Sequence, residues 1–255
     1  MCYNRRMKSI VVANWKMNPA TFAEAKKLFD GTRKAAERCA KVSLVVAPPS
    51  IYLRDLAIGY RGAKIPIAVQ HANAELSGAF TGEISLAQAK DAGASHVIIG
   101  HAERRALGET NDDTRKKVAA ALAQKMTPIL CVGEKTRTHS GEHLDFVREQ
   151  VRTGLADAGT KIKQVLIAYE PVWAIGASAA MLPRDMHEMA IFIRKTVVGL
   201  FGEAGHSTKI LYGGSVDDTN AATMLRDGDV RGFLVGRACL DVKGFAALLE
   251  SLERA

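Results

Sequence analysis

Residues 165–176 read VLIAYEPVWAIG, and the carboxylate of Glu170 closes an apolar, strand-like run. Desolvating an ionised carboxylate is costly. Such a residue is therefore either a satisfied structural group at the edge of a core or a base whose proton affinity has been raised by burial. Other segments carry groups of complementary use: Asn14 and Lys16 in ANWKMN (13–18), His101 and Glu103 in GHAERR (100–105), Gly213, Gly214 and Ser215 in YGGSV (212–216), and Gly236 and Arg237 in VGR (235–237). The set offers one carboxylate base, one imidazole, one ammonium and two glycine-rich turns. Glycines let main-chain N–H groups approach an anion, and a helix N-terminus adds a favourable dipole, so the two turns read as a phosphate seat. Lys16 reads either as a surface lysine or as a charge that neutralises a phosphate or a developing oxyanion. His101 opens a helical turn whose positive end disfavours an imidazolium, leaving a neutral donor for a carbonyl oxygen. Glu103 reads as the ion-pair partner of Lys16.

These residues meet only if the elements before them end on one face. Short runs rich in Val and Ile recur as SIVVAN (9–14), VSLVVA (42–47), IPIAVQ (65–70), HVIIG (96–100), TPILCV (127–132), QVLIAYE (164–170), KILYGG (209–214) and GFLVG (232–236). Amphipathic stretches separate them. Over 183–198, Met186, Met189, Ala190, Ile193 and Val197 repeat at helical spacing behind Pro183, a residue suited to a first helical turn. Phe245, Leu248, Leu249 and Leu252 repeat that spacing near the end. Strands alternating with helices predict βαβ units and a parallel sheet. Eight such units predict an α/β fold of one closed (β/α)8 barrel, with a doubly wound open sheet as the alternative. No G-x-G-x-x-G follows the first strand, which weakens the dinucleotide-binding version of the latter. No low-complexity linker divides the chain. Residues 9–255 read as one catalytic domain behind a short extension, 1–8. In such a barrel the site lies at the C-terminal ends of the strands, and the loops after strands seven and eight commonly bind phosphate.

The 255 residues are 47% hydrophobic, enough for a substantial core. No run approaches a bilayer span, and the basic N-terminal stretch MCYNRRMKS lacks the apolar centre of a secretory signal, so the expected location is cytoplasmic. Four cysteines far apart and seven histidines without ligand spacing argue against a zinc site, a disulfide framework or a metal cofactor. The net charge of +8 is dispersed, without a Lys/Arg tract, which reads as a solvated basic surface and not as a nucleic-acid site. No nucleic-acid or membrane partner is expected.

ANWKMN (13–18), GAFTGEIS (78–85), IIGHAERR (98–105), CVGE (131–134), AYEPVWAIG (168–176) and YGGSV (212–216) together resemble the signature segments of the triosephosphate isomerases, in that family's order and spacing. The resemblance spans nearly the whole chain. It implies a TIM barrel, no cofactor, and an aldose–ketose isomerase of glycolysis and gluconeogenesis. Dihydroxyacetone phosphate and D-glyceraldehyde 3-phosphate would be interconverted through an enediolate. By the same resemblance Glu170 is the base, His101 the neutral electrophile, and Lys16 with Asn14 the charge on substrate and enediolate. These roles of base and histidine are a worked example of pKa tuning. Gly176, Ser215, Gly236 and the backbone of Arg237 match the phosphate cradle, beside Gly214. PVWAIG (171–176) begins a lid whose closure presses Ile175 and Leu234 around Glu170. The 71–85 loop, with Thr81, implies a homodimer.

The sequence departs from the family pattern at several places. Ala102 stands where serine is usual, Ala177, Ser178 and Ala179 where Thr-Gly-Lys is frequent, and His71 and Asp217 where asparagines are common. Arg237 takes the place of a second glycine, adding a side chain and restricting the backbone. Cys131 closes strand five and reads as structural. Two further readings are a paralogue acting on a four-carbon ketose phosphate and a catalytically inert barrel kept for binding.

Overall fold

The computed structural model describes residues 8–59, 65–137, 140–175 and 180–255. Eight strands, β1 (Ser9–Asn14), β2 (Val42–Ala47), β3 (Ile67–Val69), β4 (Ala94–Ile99), β5 (Thr127–Val132), β6 (Leu166–Tyr169), β7 (Lys209–Tyr212) and β8 (Gly232–Val235), pair in chain order and close into a barrel. Every ladder is parallel, and β8 meets β1 with Val12 opposite Leu234. Nine α-helices occur among the described residues: α1 (Phe22–Ala36), α2 (Ser50–Ile58), α3 (Leu86–Asp91), α4 (Ala102–Ala106), α5 (Asn111–Ala123), α6 (Glu142–Leu155), α7 (Pro183–Phe201), α8 (Ala221–Asp227) and α9 (Val242–Arg254). The closed (β/α)8 barrel is the expected fold, and the open sheet is excluded by the β1–β8 ladder. Of the expected extension, residues 1–7 lie outside the described residues.

Two apolar layers hold the barrel. Inside it pack Val12, Val45, Ala68, Ile98, Ile129, Leu166, Ala168, Leu211 and Leu234 with their neighbours. Strand residues of the opposite parity pack outward against the helices. The α7 stripe read from the sequence faces inward as expected: Met186, Met189, Ala190, Ile193 and Val197 are all buried. Each of its Met, Ile and Val side chains contributes about 1.5–3 kcal/mol on full burial. The helix runs three residues past the expected end, to Phe201, and stops at Gly202 with φ 56°, a left-handed turn that glycine adopts without a Cβ penalty.

Four of the eight strands are shorter than the apolar runs. β3 keeps only Ile67–Val69 of 65–70, where Pro66 has no N–H to give the ladder. β6, β7 and β8 stop before Glu170, Gly213 and Gly236. The residues that leave the ladder are those that turn into the barrel mouth. Close packing there has a sharp test. A Cβ on Gly133, just beyond β5, would lie 1.8 Å from the Glu170 carbonyl oxygen. Gly133→Ala is expected to destabilise the fold by about 3 kcal/mol or more, read as a lower denaturation midpoint at unchanged slope; an unshifted midpoint contradicts the packing described.

Candidate active site

Side chains alternate along a strand, so the position two residues beyond an inward-facing one faces inward again. Ile10 and Val12 lead to Asn14, and Leu166 and Ala168 lead to Glu170. Alternation thus carries Asn14 and Glu170 to the top of the barrel interior, where they are only 5% and 2% exposed. Two glycines make room for Glu170. Gly133 abuts its backbone, and a Cβ on Gly213 would stand 2.8 Å from its Cγ.

The Glu170 carboxylate is held from two sides. Its Oε2 accepts the Ala102 N–H at 2.9 Å, and its Oε1 lies 3.2 Å from His101 Nε2. His101 is the N-cap of α4, where its Nδ1 accepts the Glu103 N–H at 3.2 Å. An accepting Nδ1 leaves the ring proton on Nε2, so the neutral imidazole donates towards Glu170. Burial pushes the Glu170 carboxyl above its ordinary 4.5, against the opposing pull of His101, the Ala102 N–H and Lys16. A base of raised proton affinity stays protonated to a higher pH. Activity that needs its ionised form is therefore lost, as pH falls, at a higher pH than for a solvated carboxylate. The acid limb of the kcat/KM profile is expected above 4.5; a limb at or below that value would contradict a buried base.

Lys16 bridges the mouth. Its Nζ is 2.7 Å from Glu103 Oε1, the ion pair expected from the sequence, and its stem passes 3.4 Å from where a Cβ on Gly236 would stand. Its backbone is left-handed, with φ 53°, a conformation costing a non-glycine residue on the order of 1–2 kcal/mol. Asn14 supports the turn through its Oδ1, which accepts the Lys16 N–H at 3.1 Å.

A cavity of about 440 Å³ fills the mouth, lined by Asn14, Lys16, His101 and Glu170 at one side and by Gly214, Ser215, Gly236 and Arg237 at the other. Ile175 and Leu234 also line it. Gly213 and Gly214 have packing duties besides any role towards an anion. A Cβ on Gly214 would fall 2.2 Å from Tyr212 Oη, which accepts the Met181 N–H at 3.1 Å. Arg237 is exposed and heads a short 3-10 turn, Arg237–Leu240. It is not among the described non-glycine residues with positive φ, so its backbone tolerates the missing glycine. Gly176 and the lid tip, Ala177, Ser178 and Ala179, lie outside the described residues. Cys131 is fully buried against Glu170, and burial pushes its thiol well up, as suits a structural residue and not a nucleophile.

One residue of the site went unassigned in the sequence reading. Glu134, 2% exposed, accepts Tyr169 Oη at 2.8 and 2.9 Å and Trp173 Nε1 at 2.9 Å, and its carbonyl accepts the Val172 N–H. It fastens the segment after Glu170 to the loop after β5. The signal was present: CVGE, like AYE, ends an apolar run in a carboxylate.

Fold and site together define a (β/α)8-barrel enzyme with a buried carboxylate, a neutral imidazole and an ammonium around one cavity. A family model described as triosephosphate isomerase matches residues 9–252. The chain is similar to triosephosphate isomerases of Endomicrobium trichonymphae (38% identity over 246 residues, 95% of this chain and 98% of the relative) and Granulibacter bethesdensis (38% over 248, 96% and 99%). It is also 39% identical to that of Citrifermentans bemidjiense over 250 residues, 96% of this chain and 99% of the relative. The chain belongs to the triosephosphate isomerase family.

Proposed function

We propose that Glu170 is the general base, His101 the electrophile and Lys16, placed by Asn14 and paired with Glu103, the charge that stabilises the intermediate. The reaction is the interconversion of dihydroxyacetone phosphate and D-glyceraldehyde 3-phosphate. Glu170 removes a proton from the carbon beside the carbonyl, and the electron pair moves onto the carbonyl oxygen. The His101 Nε2–H and the Lys16 ammonium meet that developing charge. Glu170 then returns the proton to the neighbouring carbon, and His101 passes protons between the two oxygens. Gly176, Ser215, Gly236, Gly214 and the Arg237 N–H hold the phosphate. The observation that carries this reading is the buried Glu170 carboxylate, facing the donor nitrogen of a neutral His101 at 3.2 Å across one cavity. Closure of the lid over Ile175 and Leu234 would expel water, raise the basicity of Glu170 further and protect the enediolate.

The test is isomerisation of dihydroxyacetone phosphate by purified, chelator-treated protein in a coupled assay. Turnover is expected, and its absence from folded protein overturns the reading. No observation favours the four-carbon substrate. Arg237→Gly is expected to keep kcat within about threefold and to shift mainly KM, because the side chain is exposed and only the backbone N–H, which glycine keeps, is assigned to the phosphate; abolished turnover in folded protein would make the side chain catalytically necessary.

The 71–85 loop is proposed to join two copies as a homodimer. Leu76 and Phe80 on it are 48% and 46% exposed, and Met17 beside the site is 94% exposed, apolar area that a second copy would cover. Among the described residues no helix is long and apolar enough to cross a membrane. Action in the cytoplasm, by residues 9–255 as one catalytic domain, completes the proposal.

A further inference from the structure

Lys16 occupies a backbone conformation it would not hold unaided, and one side chain outside the residues assigned above restrains it. Gln70 follows β3 directly. Its Nε2 donates to the Lys16 carbonyl at 2.8 Å and to the Ala47 carbonyl at 2.9 Å. The two amide hydrogens are thus spent on two main-chain acceptors, one in the turn after β1 and one at the end of β2. Ala47 O also accepts the Trp15 N–H at 3.1 Å, so the same carbonyl anchors the residue before Lys16. The next residue, His71, takes Arg104 Nη2 at 3.1 Å, and Arg104 belongs to α4, the helix capped by His101 and bearing Glu103. With the Lys16–Glu103 ion pair, the chain around Gln70 closes a triangle between β1, β3 and β4.

From this geometry we infer that Gln70 is a positioning residue: it holds the left-handed Lys16 turn so that the ammonium spans the cavity between Glu103 and Gly236. The side chain meets the need narrowly. Glutamate would set a carboxylate against two carbonyl oxygens, methionine has the length without the donors, and asparagine is one methylene short. Without the bridge the Lys16 turn relaxes towards negative φ, and its stem leaves the mouth. The inference rests on the proposed role of Lys16.

The test is a double-mutant cycle of Gln70→Met and Lys16→Met, read as kcat/KM with dihydroxyacetone phosphate and as competitive inhibition by inorganic phosphate. Gln70→Met alone is expected to lower kcat/KM by about tenfold or more, since small misplacements of a catalytic group are expensive. It is also expected to weaken phosphate inhibition. In the Lys16→Met background Gln70→Met is expected to change kcat/KM by less than about twofold, because its effect is routed through a side chain already removed. Losses that multiply, or a Gln70→Met enzyme of full activity and lowered thermal stability, overturn the inference. Gln70→Asn serves in the same cycle should the methionine variant fail to fold. Wild-type turnover, measured first, separates failure of this inference from failure of the proposed function.

Discussion

Glu170→Asp is expected to lower kcat by about a hundredfold while leaving the fold intact, because a shift of about 1 Å in a reacting group costs that much. The shorter side chain withdraws the carboxylate towards a backbone that cannot follow it. The Glu170 N–H donates to Val132 O at 2.7 Å, and Gly133 and Gly213 pack against the residue from the two neighbouring strands. Aspartate would keep the charge and the burial, so the acid limb of the pH profile is expected to stay above the ordinary aspartate range even as the rate falls. That combination separates distance from basicity. A variant with wild-type kcat would remove Glu170 from the chemistry. One with a normal rate above an acid limb of ordinary value would show that burial is irrelevant to it.

His101→Asn is expected to lower kcat by about 10²–10³, the usual effect of deleting one donor aimed at developing oxyanion charge. The substitution isolates the catalytic function from the structural one. His101 caps α4 by accepting the Glu103 N–H through Nδ1. Asparagine is among the best N-cap residues, so the helix start and the Lys16–Glu103 pair should survive. What is lost is the reach of Nε2 to within 3.2 Å of Glu170 Oε1. Unchanged thermal stability with a large fall in kcat is the expected pair of readings. A loss of stability without a rate effect on the folded fraction would make His101 a cap and nothing more.

Much of this site was legible before any coordinates, and the reason is parity. A carboxylate two residues beyond an inward-facing Ala168 must face inward too, and an asparagine two beyond Val12 must do the same. The ring of Asn14, Lys16, His101, Glu103, Glu170, Ser215 and Gly236 follows from strand ends that share one face. Glu134 shows the limit of reading the motif alone. Its apolar run and terminal carboxylate match those of Glu170, yet it serves as the acceptor for Tyr169 and Trp173. Parity separates the two only once the inward-facing residues are placed: Glu134 stands three residues beyond Cys131, an odd step, and Glu170 two beyond Ala168.

Gln70 makes the same point from the other side. A glutamine after a short strand carries no signal in the chain, and its two acceptors belong to segments 54 and 23 residues away. By itself the sequence determined the eight strand–helix units and which residues stand at the strand ends, because periodicity and strand–helix alternation are local properties; closure of the sheet rests on the β1–β8 ladder, which pairs the two ends of the chain. The tertiary structure decided the tautomer of His101, the raised proton affinity of Glu170, the strained turn at Lys16 and the close seating of Gly133 and Gly213. Each of these depends on distances between segments remote in the chain, and burial and hydrogen bonding act only through such distances.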